Sequence, residues 1–240
     1  MVKNQPTPVH LLAFGAHPDD VEIGAGGILA KHAAAGFTTA ICNLTEAELS
    51  SNGTVEQRRN ESRQAAEILG VSQQLCLGFP DRGLTGTAEQ ILKITQVIRE
   101  LKPKVVLAPY WEDRHPDHVA CSKLVKEAVF DAGIRRKKVP GGEPPHRVTQ
   151  LYHYFINDIY QADLIVDISD VYETKMEGVL AYKSQFLREE GEVDTPLNSP
   201  SYLSMIRGRD QLWGHQIGVL YGEALVSPRP MKQSYLLPLK

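Results

Sequence analysis

Short apolar runs alternate with amphipathic stretches along most of this chain. Residues 10–14 (HLLAF), ended by Gly15, have the continuous apolar character of a buried parallel strand. Residues 23–35 carry apolar positions at helical spacing, and Gly36 stops them. Residues 38–44 read as a second strand, followed by the turn signal Ser50-Ser51-Asn52-Gly53. Thr54 with Gln57 predicts a capping box opening a helix that runs to about Leu69. A strand at 74–79, an amphipathic helix at 88–101, a strand at 104–109 and a helix at 117–132 continue the rhythm. The expected fold is α/β: a Rossmann-like, mostly parallel sheet flanked by helices.

Residues 137–145 (KKVPGGEPP) predict a linker. Beyond it lie strand-like runs at 151–156 and 164–168, then helical stretches at 171–186 and 201–221 around a polar loop at 187–200. This is a C-terminal helical/strand elaboration of one domain spanning 1–240, with 1–8 as a flexible N-terminus.

Composition narrows the class of function. The 26 Lys and Arg against 29 Asp and Glu give a net charge of −3, without the basic footprint of a nucleic-acid or anionic-membrane partner. No apolar run approaches a membrane span, and the polar N-terminus is unlike a signal peptide, so the expected location is the cytoplasm. Cys42 and Cys76 fall in strand-like runs and read as buried small hydrophobes, as expected in a reducing compartment.

The chemistry concentrates at two strand ends, where open parallel sheets bind ligands. The first carries Ala16-His17-Pro18-Asp19-Asp20, the second Tyr110-Trp111-Glu112-Asp113-Arg114-His115-Pro116-Asp117-His118. His17 and Asp20 are three apart at a helix start and can face one ion, and His118 completes a His₂Asp set of the kind that holds catalytic zinc. Asp19 then lies beside the metal, free to take a proton. His115 is an alternative ligand or a donor to an oxyanion, and Asp117 can hold His115 as imidazolium. Asp and His near helix starts also serve as plain caps. Spacing alone leaves Fe²⁺, Mn²⁺ or phosphoesterase chemistry open. Gly24-Ala25-Gly26-Gly27 follows the cluster and lacks the G-x-G-x-x-G arrangement of a dinucleotide site, so it reads as close helix packing.

Ala16-His17-Pro18-Asp19-Asp20-Val21-Glu22 and His115-Pro116-Asp117-His118 resemble the two signature motifs of the PIG-L/LmbE family of N-acetylglucosaminyl deacetylases. Stretches 44–54, 80–83, 112–115 and 182–186 are similar to the branch that includes the bacillithiol biosynthesis deacetylase. The resemblance implies one Zn²⁺ per subunit on His17, Asp20 and His118, with Fe²⁺ as the alternative in the cell. It further implies Asp19 as general base and His115 as oxyanion partner. Arg58 matches an arginine that faces the substrate in relatives, Tyr202 matches a tyrosine that can swing over the site, and Arg114, just before the second motif, is a similar candidate for substrate contact. The implied substrate is an N-acetyl-glucosaminyl conjugate such as N-acetyl-glucosaminyl-malate, the implied assembly a homo-oligomer, specifically a hexamer. The alternatives are another N-acetylglucosamine derivative, a chitobiose-type sugar, or a catalytically silent metal- or sugar-binding relative.

Overall fold

β1 (Leu11–Gly15) and β2 (Thr39–Thr45) are buried at every position, which explains their unbroken apolar character: helices cover both faces. The computed structural model describes residues 7–188, 191 and 193–231; residues 1–6 of the expected flexible N-terminus lie outside the described residues. The remaining elements are α1 (Asp20–Ala34), α2 (Val55–Ile68), β3 (Gln73–Phe79), α3 (Ala88–Leu101), β4 (Val105–Pro109), α4 (Pro116–Ala132), β5 (Gln150–Tyr154), β6 (Leu164–Asp167), α5 (Tyr172–Leu180), α6 (Lys183–Phe186), α7 (Pro200–Gln216) and β7 (Gly222–Val226).

The sheet order is β3-β2-β1-β4-β5-β7-β6. β3, β2, β1, β4 and β5 run parallel, whereas β7 is antiparallel to both of its neighbours. The chain steps outward from β1 to β3 and then returns beside β1 as β4. The loops after β1 and β4 therefore splay apart over a crevice at the topological switch point. One apolar core lies between the sheet and α1, α5 and α7. A second lies between the sheet and α3 and α4.

Glycines set how closely α1 approaches the sheet. A Cβ on Gly24 would lie 2.3 Å from Tyr154 Cδ2, and one on Gly27 would lie 2.7 Å from Ile168 Cδ1. This is the packing role expected of the 24–27 run.

The C-terminal elaboration is bound into α1 by buried charges. Glu223 on β7 accepts the N–H groups of Gly27 (2.9 Å) and Ile28 (2.6 Å), and its carboxylate is 2.8 Å from Lys175 Nζ. Lys175 also pairs with Asp210. Arg209 donates to the carbonyls of Ile23 (2.7 Å) and Ile156 (2.6 Å). All four charged side chains are buried.

Several elements differ from expectation. The helix expected over 171–186 is two helices after a 3-10 turn at Ser169–Val171, because Tyr182 leaves helical geometry (ψ 63°) and sends its hydroxyl 2.8 Å to Glu22. The stretch expected as helix to 221 ends at Gln216, and β7 follows as a separate strand. Thr54 caps α2 by accepting from Gln57 N–H, but the complete reciprocal box is made by Thr87 and Gln90 at α3. The 137–145 segment is tied down rather than a free spacer: buried Arg99 donates to the carbonyls of Lys137 (2.8 Å) and Glu143 (3.2 Å). Cys42 is buried as expected, but Cys76 is exposed because β3 is a sheet edge.

Candidate metal centre

The β1–α1 turn places His17, Asp19 and Asp20 at the floor of a cavity of about 380 Å³, and the β4–α4 loop adds His115 and His118. Asp19 occupies the N-cap position of α1 with φ 112°, left-handed backbone that a non-glycine residue rarely adopts. Among the described residues, Asp19, Ala47 and Arg82 are three of four non-glycine residues with positive φ, and all three line this cavity. Strained backbone thus gathers where the loops must aim side chains inward.

Asp20 spans two imidazoles. Its Oδ1 is 3.1 Å from His118 Nε2 and its Oδ2 is 3.6 Å from His17 Nδ1. Each imidazole has a carboxylate at its far nitrogen. His118 Nδ1 is 3.0 Å from Asp113 Oδ1. His17 Nε2 is 3.2 Å from Asp81 Oδ1 and 3.5 Å from Asp117 Oδ2. Carboxylates placed this way fix ring orientation and raise ligand basicity. Burial alone would lower the His118 pKa, but Asp20 and Asp113 push it up to about 9. His17 is likewise raised: Asp117, Asp20 and Asp81 outweigh its burial. Two buried imidazoles and a carboxylate in mutual contact fit a divalent first-row cation. The nitrogens of His17, His115 and His118 also lie within 4.8 Å of one another, which leaves His115 to be decided on other grounds.

A hydrogen bond at the α4 terminus bears on the choice. His115 is the N-cap of α4, and its Nδ1 accepts the Asp117 N–H at 3.2 Å. An imidazole accepting at Nδ1 carries its neutral-state proton on Nε2, which makes that nitrogen a donor and not a ligand. Burial and the neighbouring His118 and His17 hold the His115 pKa below the usual range, favouring this neutral form. The capping reading therefore applies to His115, and capping sets the tautomer that an oxyanion donor needs.

Asp117 is oriented differently from expectation. Its carboxylate faces His17 and is held by Arg82, whose N–H and Nη1 each donate at 2.8 Å. The expected contact with the His115 ring is replaced by the Asp117 backbone N–H. α4 begins at Pro116, so Asp117 sits in the first turn with its side chain swung toward the β3–α3 loop.

Asp19 remains uncommitted to capping: its side chain makes no cap bond among the described residues. Burial raises its carboxyl to about 6, against the opposing pull of Arg58. Arg58 Nη2 lies 3.1 Å from Asp19 Oδ2 and donates to the Pro18 carbonyl, while Nη1 reaches Ser50 at 3.1 Å. Arg58 borders the cavity, yet it is 3% exposed and its guanidinium is engaged by Asp19. Arg114 is exposed on the cavity rim. Tyr202, in the first turn of α7, is buried against Phe186 and lines the cavity.

Asp81, Asp113 and Asn157 join the site without a role expected from the sequence pattern. The available signal was position: each follows a sheet strand at its carboxyl end, β3, β4 and β5 respectively.

Comparison with known proteins follows the same lines. The family profile described as PIG-L, GlcNAc-PI de-N-acetylase, matches residues 12–129, which include both histidine clusters. Diacetylchitobiose deacetylase of Thermococcus kodakarensis is 34% identical over 199 residues, covering 78% of this chain and 73% of that protein. The 1D-myo-inositol 2-acetamido-2-deoxy-alpha-D-glucopyranoside deacetylase of Nocardiopsis dassonvillei is 35% identical over 172 residues, 57% of this chain and 59% of that protein. Among solved structures, the conserved protein TT1542 from Thermus thermophilus superposes with TM-score 0.86 and 39% identity, over 96% of this chain and 100% of that one.

Proposed function

Because this chain belongs to the PIG-L (GlcNAc-PI de-N-acetylase) family, we propose that it is a zinc-dependent deacetylase that removes acetate from an N-acetyl-glucosaminyl conjugate. The observation that carries the reading is the buried, uncapped Asp19 carboxylate beside the His17–Asp20–His118 donor set. Those three residues would hold one Zn²⁺ per subunit, with Fe²⁺ the cellular alternative. Bound there, the metal supplies Lewis acidity to the acetyl carbonyl and acidifies water at neutral pH.

The chain's own residues do the rest. Asp19, its carboxyl raised by burial, accepts the proton of the attacking water and returns it to the departing amine. His115 presents Nε2–H to the oxyanion as the carbonyl becomes tetrahedral. Tyr202 borders the same space. Asp117 acts by orienting His17. Acetate and the free amine are the products.

For the aglycone we favour malate. Arg114 is exposed on the cavity rim, and a guanidinium fork suits a carboxylate. A chitobiose-type sugar is the second reading, favoured by the 34% identity to the Thermococcus enzyme. Incubating the zinc-loaded protein with N-acetyl-glucosaminyl-malate, N,N′-diacetylchitobiose and free N-acetylglucosamine, and measuring released amine, separates them. Faster release from the malate conjugate supports malate; preference for chitobiose transfers the assignment; no amine from any of the three sinks the deacetylase reading. No helix among the described residues is long and apolar enough to cross a membrane, and a cytoplasmic hexamer completes the proposal, to be checked by sedimentation velocity.

A further inference from the structure

Asn157 lies just beyond β5, at a third strand end facing the crevice. Its carboxamide nitrogen donates to Asp113 Oδ1 at 3.0 Å and Oδ2 at 3.4 Å, and its backbone N–H reaches Oδ2 at 3.4 Å. Asp113 Oδ1 also accepts the His115 N–H at 2.8 Å and stands 3.0 Å from His118 Nδ1. The His115 and Asn157 backbone N–H groups both donate to this carboxylate, and the Asn157 amide presents its NH₂ there as well.

That orientation fixes the other end of the amide. The Asn157 Oδ1 faces Tyr202, whose hydroxyl donates to it at 3.1 Å. An oxygen acceptor cannot be exchanged for the NH₂ without placing two acceptors against each other at Asp113. The tyrosine of α7 therefore latches the amide from outside, while the amide holds the carboxylate from inside. The preceding residue is anchored as well, since Arg209 takes the Ile156 carbonyl at 2.6 Å.

We propose that Asn157 is a positioning residue of the metal centre, acting through Asp113 to set the ring orientation of His118. An imidazole free to rotate about its χ angles loses part of its affinity as a ligand. Outer carboxylate and amide partners typically change metal affinity by about 10–100-fold. Among the described residues Asn157 hydrogen-bonds to Asp113 and Tyr202 and to none of His17, Asp20 or His118, so its effect is carried by the Asp113 carboxylate. The metal itself belongs to the functional reading above, on which the inference rests.

The test is a zinc titration of the metal-free protein against a chromophoric chelator, for wild type, Asn157→Leu, Asn157→Ser, Asp113→Ala and the double variant Asp113→Ala/Asn157→Leu. Either Asn157 substitution is expected to weaken zinc binding about tenfold or more. In the Asp113→Ala background, Asn157→Leu should add less than about a twofold further loss, because the residue through which it acts is gone. Wild-type affinity in both Asn157 variants overturns the proposal. An equal further loss without Asp113 overturns it too, as does loss of the near-UV dichroism in both variants, since Asn157 would then serve the fold as a whole. The titration uses zinc and no sugar. Failure to release amine from any acetamido sugar would count against the deacetylase reading and leave this comparison unaffected.

Discussion

Arg58 and Asp19 form a buried ion pair, Nη2 to Oδ2 at 3.1 Å, with the guanidinium 5.7 Å above the Tyr182 ring. Burial pushes the Asp19 carboxyl up, and Arg58 is the strongest influence pulling it down. Removing the cation leaves burial less opposed, so the Asp19 pKa must rise. In Arg58→Met the acidic limb of the kcat/KM profile should move to higher pH by roughly one to three pH units, the usual span for an arginine beside a carboxylate. An unmoved limb would show that Asp19 is not the group whose ionisation controls turnover.

His118 and His115 should respond oppositely to truncation. His118→Ala removes a ligand and should lose metal, read by elemental analysis after dialysis. His115→Ala should retain metal and lose on the order of 10²–10³ in kcat, the range for one oxyanion donor. The reverse pattern would exchange their assignments.

Asp117 distinguishes two arrangements of the same motif. With its carboxylate 3.5 Å from His17 Nε2, Asp117→Asn should weaken metal affinity by about 10–100-fold. A contact with the His115 ring would instead predict lower turnover at unchanged affinity. Chelator competition and steady-state kinetics on one variant decide between them.

The Lys175–Asp210–Glu223 cluster is fully buried, and Lys175 is the cation shared by both carboxylates. Lys175→Met leaves two buried charges without it and should cost about 3–5 kcal/mol. Urea unfolding should show a lower midpoint. A change within about 0.5 kcal/mol would mean that Arg209 and the backbone donors suffice.

Gly24→Ala tests the close approach of α1 to β5. The added methyl meets the Tyr154 ring at 2.3 Å and the Phe155 carbonyl at 2.7 Å, so the helix must move. Overpacking of this kind typically costs about 1–3 kcal/mol, measurable by the same unfolding experiment. Stability equal to wild type would mean that α1 shifts freely.

The parallel half of the sheet was legible because its strands are buried on both faces and their apolar runs are local signals. The His-Pro-Asp clusters were legible for a similar reason: each is contiguous and ends a strand. What sequence spacing does not encode is the direction in which a side chain leaves a helix start. Asp117 lies two residues from His115 and 100 from His17, yet it faces His17 because Arg82 holds it there. Asp81, Asp113 and Asn157 come from three separate loops, and their convergence exists only once the strands align. β7 was missed because GEALV is five residues long, opens on glycine and buries a glutamate, a pattern that favours no element by itself.

The position of β7 has a consequence for assembly. This strand sits between β5 and β6, although it follows both in sequence. During synthesis β6 emerges long before the strand that bonds it to the sheet, and it must wait beside an open edge at β5. Glu223, which seals α1 through two backbone amides, arrives with that same late strand. Pairing so distant in sequence is slow to form. A nascent chain stalled before β7 therefore exposes an unpaired strand edge, a natural point for chaperone capture or for off-pathway strand exchange between chains.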